Sequence, residues 1–303
     1  MAFGFMINVI GHKRVFLSIS GLLVIASVIV IAVFGFRPGI DFVGGTLWQI
    51  KFSDSAISRE TLAESLKTKL QREDAIITTE GGGSFLIRTL EVSEADHQKY
   101  LEQIKTELGA AEELRFETIG AAVGGELRRR AIWAFVLVLL AISLYIAFAF
   151  RKVSRPVSSW KYGVITLVTL FHDALIPAGL FALLGRFLNV EMDTNFIVAI
   201  LVVMGFSVHD TIVVFDRIRE HLRVSGFGGK TDFNTLVNNS VNQTMARSIN
   251  TSLTLILVLI ALYFLGAPNL GYFVLTIGIG TIVGTYSSIF VASPLLTLWR
   301  KRS

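Results

Sequence analysis

The 303-residue chain has no cysteine, only five prolines, and charged residues at just 17%. Without cysteine there is no disulfide scaffold, no thiol chemistry and no cysteine-based metal site. The scarcity of proline excludes a collagen-like chain, and so low a charge excludes a disordered one. A soluble globular chain carries about 25% charged residues. This one falls well short, while its hydrophobic fraction reaches 52%. The formal charge is +5, yet Lys and Arg sit in loops between long apolar runs. That is the pattern of a membrane protein rather than of a nucleic-acid binder.

A helix needs about 20 apolar residues to cross a bilayer. Six runs meet or approach that length: Val15–Phe34, Ala131–Phe150, Gly163–Leu184, Asn195–Phe215, Ile249–Leu265 and Gly271–Leu298. The first follows His12-Lys13-Arg14, like the start of a signal peptide. Its apolar stretch is too long, and no small-residue cleavage site follows, so it reads as an uncleaved span. Lys13 and Arg14, the loops 151–162 and 216–247, and Arg300-Lys301-Arg302 fall on one side of the membrane; the short loops of the other side carry only Arg186. This asymmetry predicts that both termini are cytoplasmic. Arg128-Arg129-Arg130 dissents, but it belongs to a long translocated loop, where the rule weakens.

The expected division is a cytoplasmic N-terminus (1–14), a first span (15–36), an extracytoplasmic domain (37–128) and a five-helix membrane domain (129–303). Within the extracytoplasmic domain, Leu47–Phe52 alternates as a strand does. Ser58–Leu70 reads as a helix capped by Ser58, Ala75–Thr79 as a strand, and Gly81-Gly82-Gly83 as a turn. Phe85–Leu90 is a second hairpin strand, Ser93–Leu108 a helix capped by Ser93 and ended by Gly109, and Glu113–Ile119 a last strand. The order βαββαβ predicts a ferredoxin-like α+β domain. In the second cytoplasmic loop Phe233, Leu236, Val237, Val241 and Met245 fall at helical spacing. Both an amphipathic helix along the membrane surface and a packed connector fit that pattern.

Several motifs fail on inspection. Gly226-Phe227-Gly228-Gly229-Lys230-Thr231 is not a phosphate loop, because Val224 stands where the first glycine belongs and no strand precedes it. Gly280 and Gly284, inside the sixth span, read as a close helix-packing face. The informative residues are ionisable groups within spans: His172-Asp173 in the third and His209-Asp210 in the fourth. An Asp at the centre of a span costs roughly 2.5–3.5 kcal/mol on insertion scales, and such residues mark proton or ion paths or hydrogen bonds between helices. Asp210 is the stronger candidate for a relay and Asp173 the weaker, whereas His172 and His209 read first as satisfied interior histidines. Arg247, where the cytoplasmic loop meets the fifth span, is either an interfacial anchor or a counter-charge to Asp210. Ser207, Thr211, Thr251 and Ser252 could extend a hydrogen-bonded path.

After the first span comes Gly39-Ile40-Asp41-Phe42-Val43-Gly44-Gly45-Thr46. Its glycines permit tight turns and Asp41 can bond nearby N–H groups. This segment closely resembles the hallmark of the SecD and SecF subunits of the bacterial protein translocase. Val123-Gly124-Gly125-Glu126-Leu127 and Arg247-Ser248-Ile249-Asn250-Thr251-Ser252 resemble the same family. Ser207 to Glu220 resembles the fourth-span signature of SecF in particular, with His209 where the family commonly has Asn. The resemblance covers nearly the whole chain.

The resemblance implies a fold of the resistance-nodulation-division superfamily, six spans pairing with six of SecD. It implies residence in the bacterial cytoplasmic membrane and assistance to the SecYEG channel and the SecA motor, with YajC and YidC as further partners. The chain would use proton flow to draw a preprotein outward at a late stage of translocation. It would need no cofactor, no metal and no catalytic residue, and would bind no nucleic acid. On that reading Asp210 is the relay carboxylate and Arg247 its basic partner; the residues themselves add Asp173 and His209 as weaker candidates. Gly39, Asp41, Gly44 and Gly45 carry the family motif. One alternative is a small-molecule or metal exporter of the same superfamily, with the two His-Asp pairs as ligands. Another is an intramembrane aspartyl protease, against which Ser-Val-His-Asp stands in place of Gly-x-Gly-Asp. A purely structural assembly subunit is the third.

Overall fold

A computed structural model describes residues 6–54, 57–80, 83–151, 157–224 and 232–299. The first two glycines of the expected 81–83 turn, the glycine-rich 225–231 stretch and the basic residues at 152–156 and 300–302 lie outside the described residues. In chain order the elements are α1 (Lys13–Phe34), α2 (Ile40–Val43), β1 (Gly45–Phe52), α3 (Arg59–Lys69), β2 (Ile76–Glu80), β3 (Ser84–Thr89), α4 (Glu94–Leu108) and β4 (Ala111–Ile119). Then follow α5 (Ala121–Ala149), α6 (Ser159–Leu188), α7 (Thr194–Val224), α8 (Phe233–Leu265), α9 (Gly271–Ser287), a π-helical turn (Ser288–Ala292) and α10 (Ser293–Leu298). Two compact units result: Met1–Arg37 with Trp133–Ser303, and Pro38–Ile132.

The first unit is the membrane bundle. Six helices are long and apolar enough to cross a membrane. They are not equivalent. Half or more of the most apolar stretch is buried in α6, α7 and α9–α10, against 11% in α1 and α5 and 17% in α8. The interior of the bundle is therefore built by the third, fourth and sixth spans. No glycine or proline interrupts the chain between Asp232 and Gly266, so α8 runs unbroken for 33 residues, its N-terminus capped by the Asp232 carboxylate accepting from the Asn234 N–H at 3.1 Å. At about 1.5 Å per residue such a helix far exceeds a hydrocarbon core of about 30 Å. The amphipathic segment expected before the fifth span is thus its continuation. Phe233, Leu236, Val237 and Val241 are buried in the same core as Phe215, Ile218 and Leu222 of α7. The packed connector is the arrangement observed, not a helix lying apart on the membrane.

The second unit has the expected βαββαβ order. Its four strands form an antiparallel sheet in the order β2-β3-β1-β4. Alternate residues of β1, Trp48, Ile50 and Phe52, pack with Leu62, Leu66, Ile87 and Ile104 in one core. The caps are as expected from the sequence: Ser58 accepts from the Thr61 N–H and Ser93 from the Asp96 N–H, each at 3.2 Å. Gly109 ends α4 at φ +91°, a left-handed conformation that favours glycine. A buried polar contact ties α4 to β4: the Glu113 carboxylate accepts from Trp48 Nε1 at 2.8 Å and from His97 Nε2 at 2.6 Å.

The segment 39–46 is more shaped than a turn. Gly39 precedes the one-turn helix α2, and Gly44 and Gly45 follow at φ +78° and +121°. A Cβ on Gly44 would lie 2.6 Å from the Ala121 Cα, and one on Gly124 would lie 2.9 Å from the Gly44 nitrogen. The two glycine-rich segments singled out in the sequence therefore pack directly on one another, backbone to backbone.

Asp74 joins the loop before β2 to the end of β3. Its carboxylate accepts from the Leu90 N–H at 2.6 Å and from the Thr89 hydroxyl. Partial burial pushes its pKa up, but these bonds, its own N–H and the Arg72 guanidinium outweigh it and hold the group below its ordinary value. A lowered folded-state pKa adds stability that is complete above the unfolded value and is lost as pH falls through the folded one. In the native chain, protection of the Leu90 amide, read relative to the intrinsic exchange rate at the same pH, should therefore be lost only on acidification below the usual carboxylate range. In Asp74→Ala exchange should be fast at neutral pH with no acid step, as read by hydrogen-exchange mass spectrometry. A Leu90 exchange rate equal in both proteins would disprove the assignment.

Candidate functional site

The interior spans approach closely because glycines face bulkier residues. A Cβ on Gly280 of α9 would lie 2.2 Å from Val203 Cγ2 of α7, and one on Gly284 would lie 3.0 Å from Ser207 Cβ. On the other side of the bundle, a Cβ on Gly179 of α6 would meet Ser27 of α1 at 2.6 Å. Small residues of this kind let helix backbones come together within a membrane. At that distance even a serine hydroxyl reaches across from one helix to the next.

Asp173 lies at the meeting point of these helices, with no exposed surface. The His172 Nδ1 lies 2.8 Å from its Oδ1. Its Oδ2 accepts from Ser287 Oγ of α9 at 2.7 Å and from Ser207 Oγ of α7. Donors from three helices thus converge on one carboxylate. The His172 Nε2 is buried without a hydrogen-bond partner, and the ring stacks on Tyr286 with centroids 6.4 Å apart.

Asp210 stands one turn beyond Ser207 on α7 and is 2% exposed. Hydroxyls of Ser248 on α8, Thr285 on α9 and Ser288 in the π-helical turn surround its carboxyl, and His209 is its ionisable neighbour. None of these hydroxyls closes a hydrogen bond on Oδ2, which is buried and unpartnered. Ser248 Oγ, Thr211 Oγ1 and Thr281 Oγ1 are buried and unpartnered as well. The surroundings of Asp210 are therefore polar but unsaturated, while both oxygens of Asp173 have partners.

The structure sorts the residues expected from sequence. Asp210, Asp173, Ser207 and Thr211 are all buried in the bundle interior. Arg247 is not brought to Asp210: its side chain is exposed, and Ser248 takes the inward position. The reason is helical geometry, since successive residues turn by about 100° and only one of the two can face α7. His209 is exposed for the same reason. Thr251 is exposed too, its hydroxyl donating back to the Arg247 carbonyl at 3.0 Å, whereas Ser252 bonds across to Thr285. No group of three or more His, Asp or Glu side chains placed to hold a metal ion occurs among the described residues.

The sequence reasoning missed Ser248, Thr285, Ser287 and Ser288. Their signal was present: Thr281, Thr285 and Ser288 recur at intervals of four and three, the spacing of one helix face. Hydroxyls are common at packed span interfaces, so that spacing alone does not separate a site from packing.

Fold and site together define a six-span helical membrane protein with a ferredoxin-like domain inserted after its first span and two buried carboxylates in its bundle. The family described as "Protein export membrane protein SecD/SecF, C-terminal" matches residues 99–302, and the "SecD/SecF GG Motif" matches residues 29–56. The chain belongs to the SecD/SecF family of protein-export membrane proteins, and its full-length likeness is to SecF. It is 42% identical to the protein translocase subunit SecF of Thermobaculum terrenum, over 98% of this chain and 95% of that protein. It is 36% identical to the translocase subunit SecDF of Thermus thermophilus, over 97% of this chain and 39% of that one. The crystal structure of SecDF from the same organism superposes with a TM-score of 0.84 at 35% identity, covering all of this chain and 40% of the other. The chain thus spans about two fifths of SecDF.

The close packing predicts a mutational contrast. Gly280→Leu should cost about 1–3 kcal/mol through overpacking and lower the melting temperature of the detergent-solubilised protein. Gly205→Leu, where a Cβ meets nothing within 4 Å, should leave it nearly unchanged. Equal melting of the two variants would refute the assigned interface.

Proposed function

We propose that this chain is the SecF-type half of a proton-driven accessory complex of the Sec export machinery. It pairs with a SecD-type half in the bacterial cytoplasmic membrane, both termini on the cytoplasmic side. Together the halves use the proton gradient to promote late translocation of preproteins through SecYEG, after SecA has started the chain, with YajC and YidC as associated proteins. No cofactor is called for. The pairing is supported by the fusion of both halves in the Thermus protein, of which this chain matches about two fifths.

The observation that carries the reading is the Asp210 carboxyl, buried within the fourth span with Oδ2 unpartnered and hydroxyls around it. A carboxylate left incompletely bonded in a low-dielectric bundle is costly. Hydroxyls serve both protonation states, because they donate to a carboxylate and accept from a carboxylic acid. Asp210 can therefore gain or lose a proton with hydroxyls beside it that suit either state. Arg247, exposed here, belongs to the deprotonated arm of the cycle, in which reseating of α7 against α8 would bring it towards the carboxylate. Protonation removes that attraction and returns the helices to the packing described above.

Translocation of a signal-bearing protein into inverted vesicles, with the SecD partner present, tests the proposal. Asp210→Asn should abolish the gradient-dependent part of export and leave the ATP-dependent part intact. Full gradient stimulation in the variant would exclude Asp210 as the coupling group.

A further inference from the structure

The charge balance of the bundle points to a second site. Asp173 is fully buried, and among the described residues the group beside it that can become a cation is His172. From α7 it meets the Ser207 hydroxyl, and from α9 it meets Ser287; the Tyr286 ring of α9 stacks on His172. α1 brings Ser20 and Ser27 into the bundle, its Lys13 and Arg14 standing in its first turn, and α10 brings no ionisable side chain. Lys161 and Arg186 of α6 sit at that helix's two ends. Among the described residues, the buried side chains of the bundle that can carry a charge near neutral pH are His172, Asp173 and Asp210.

Their proton count follows from electrostatics. An unbalanced charge within a bundle is heavily penalised. Two carboxyls and one imidazole are neutral together when they hold two protons. One of those protons can stand on Asp210, with the His172–Asp173 pair holding the other. Alternatively, both can stand on the pair, leaving Asp210 ionised. The two arrangements differ by the transfer of one proton and by no net charge. His172 is equipped for this: Nδ1 is engaged by Asp173, and Nε2 is buried, unpartnered and free to take the extra proton.

Hydroxyls lie beside both carboxyls on neighbouring positions. Ser287 donates to Asp173, while its neighbour Ser288, the first residue of the π-helical turn, stands beside Asp210. In a regular α-helix neighbours point about 100° apart; a π-helical turn widens the helix locally, and such turns recur at functional sites. On α7, Ser207 bonds Asp173 one turn before Asp210. We propose that His172 and Asp173 form a second proton-binding site, which exchanges one proton with Asp210 across the Ser287–Ser288 step. Ser207 and Ser287 are its positioning residues. This inference rests on the reading of the chain as a proton-driven subunit, but its test does not depend on export.

Infrared difference spectra of the chain reconstituted with its SecD-type half in vesicles, recorded across a pH titration, read the carboxyls directly. Two intramembrane carboxyl bands should titrate, one lost in Asp210→Asn and the other in Asp173→Asn. His172→Leu should displace the midpoint of the Asp210 band by about tenfold in proton concentration, the signature of coupled sites. Ser287→Ala, which retains every ionisable group, should shift the Asp173 band without removing it, and carries the test if Asp173→Asn does not fold. An Asp173 band that does not titrate, or an Asp210 midpoint indifferent to His172, would overturn the proposal. Loss of gradient-driven export with both bands intact would instead count against the translocase reading alone.

Discussion

Taking the Asp173 carboxylate out of water costs several kcal/mol, and that cost is offset only when the lone pairs are bonded. No single helix can do this. His172 supplies one donor from the same helix, but Ser207 and Ser287 have to come from the two others. The requirement fixes the mutual depth of α6, α7 and α9, and it fixes which face each turns inward. The remaining polar residues of the interior occupy positions that this three-helix contact leaves available. Asp210 is one of them, since it shares the inward face of α7 with Ser207.

Serine side chains are short, so the hydrogen bonds exist only if the backbones come close. Gly280 and Gly284 permit this on α9, where a methyl group would collide with Val203 or press on Ser207. The glycines and the carboxylate are therefore parts of one device. The glycines bring the helices together, and the carboxylate makes a register slip costly by stranding a charge. At the π-helical turn that begins at Ser288, adjacent serines lie near different carboxyls: Ser287 donates to Asp173, and Ser288 stands beside Asp210.

The sequence made some of this legible and hid the rest. Hydropathy located all six spans, and alternation with serine caps located the βαββαβ domain, because both patterns are set within a single element. Asp173 and Asp210 were legible because an ionisable group in a span is costly enough to need a reason. The facing of Arg247 was not legible. Whether Arg247 or Ser248 looks inward depends on the rotation of α8, which is set by the packing of Phe233, Leu236, Val237 and Val241 with Phe215, Ile218 and Leu222 of another helix, α7, and not by any local signal. The contact between Gly44 and Gly124 was hidden for the same reason. Each segment is glycine-rich by itself, but the need for glycine arises only where the two backbones meet.

Magnitudes argue that the site suits a switch rather than a lock. Hydrogen bonds between membrane helices contribute on average about 0.6 kcal/mol each, and at most about 1.7. The bonds from Ser207 and Ser287 to Asp173, with that between Ser252 and Thr285, therefore sum to about 2 kcal/mol. One proton crossing 100 mV gains about 2.3 kcal/mol. The two quantities are equal within their spread. A much stronger set of contacts would hold the helices in one packing whatever the protonation state, and a much weaker one would let them slip without a proton. One proton can therefore shift the balance between two packings by roughly fiftyfold. On the proposed reading, that suffices to bias a domain between two positions and to trap an unfolded segment in passing. It does not suffice to pull a folded one apart, for which 5–15 kcal/mol would be needed.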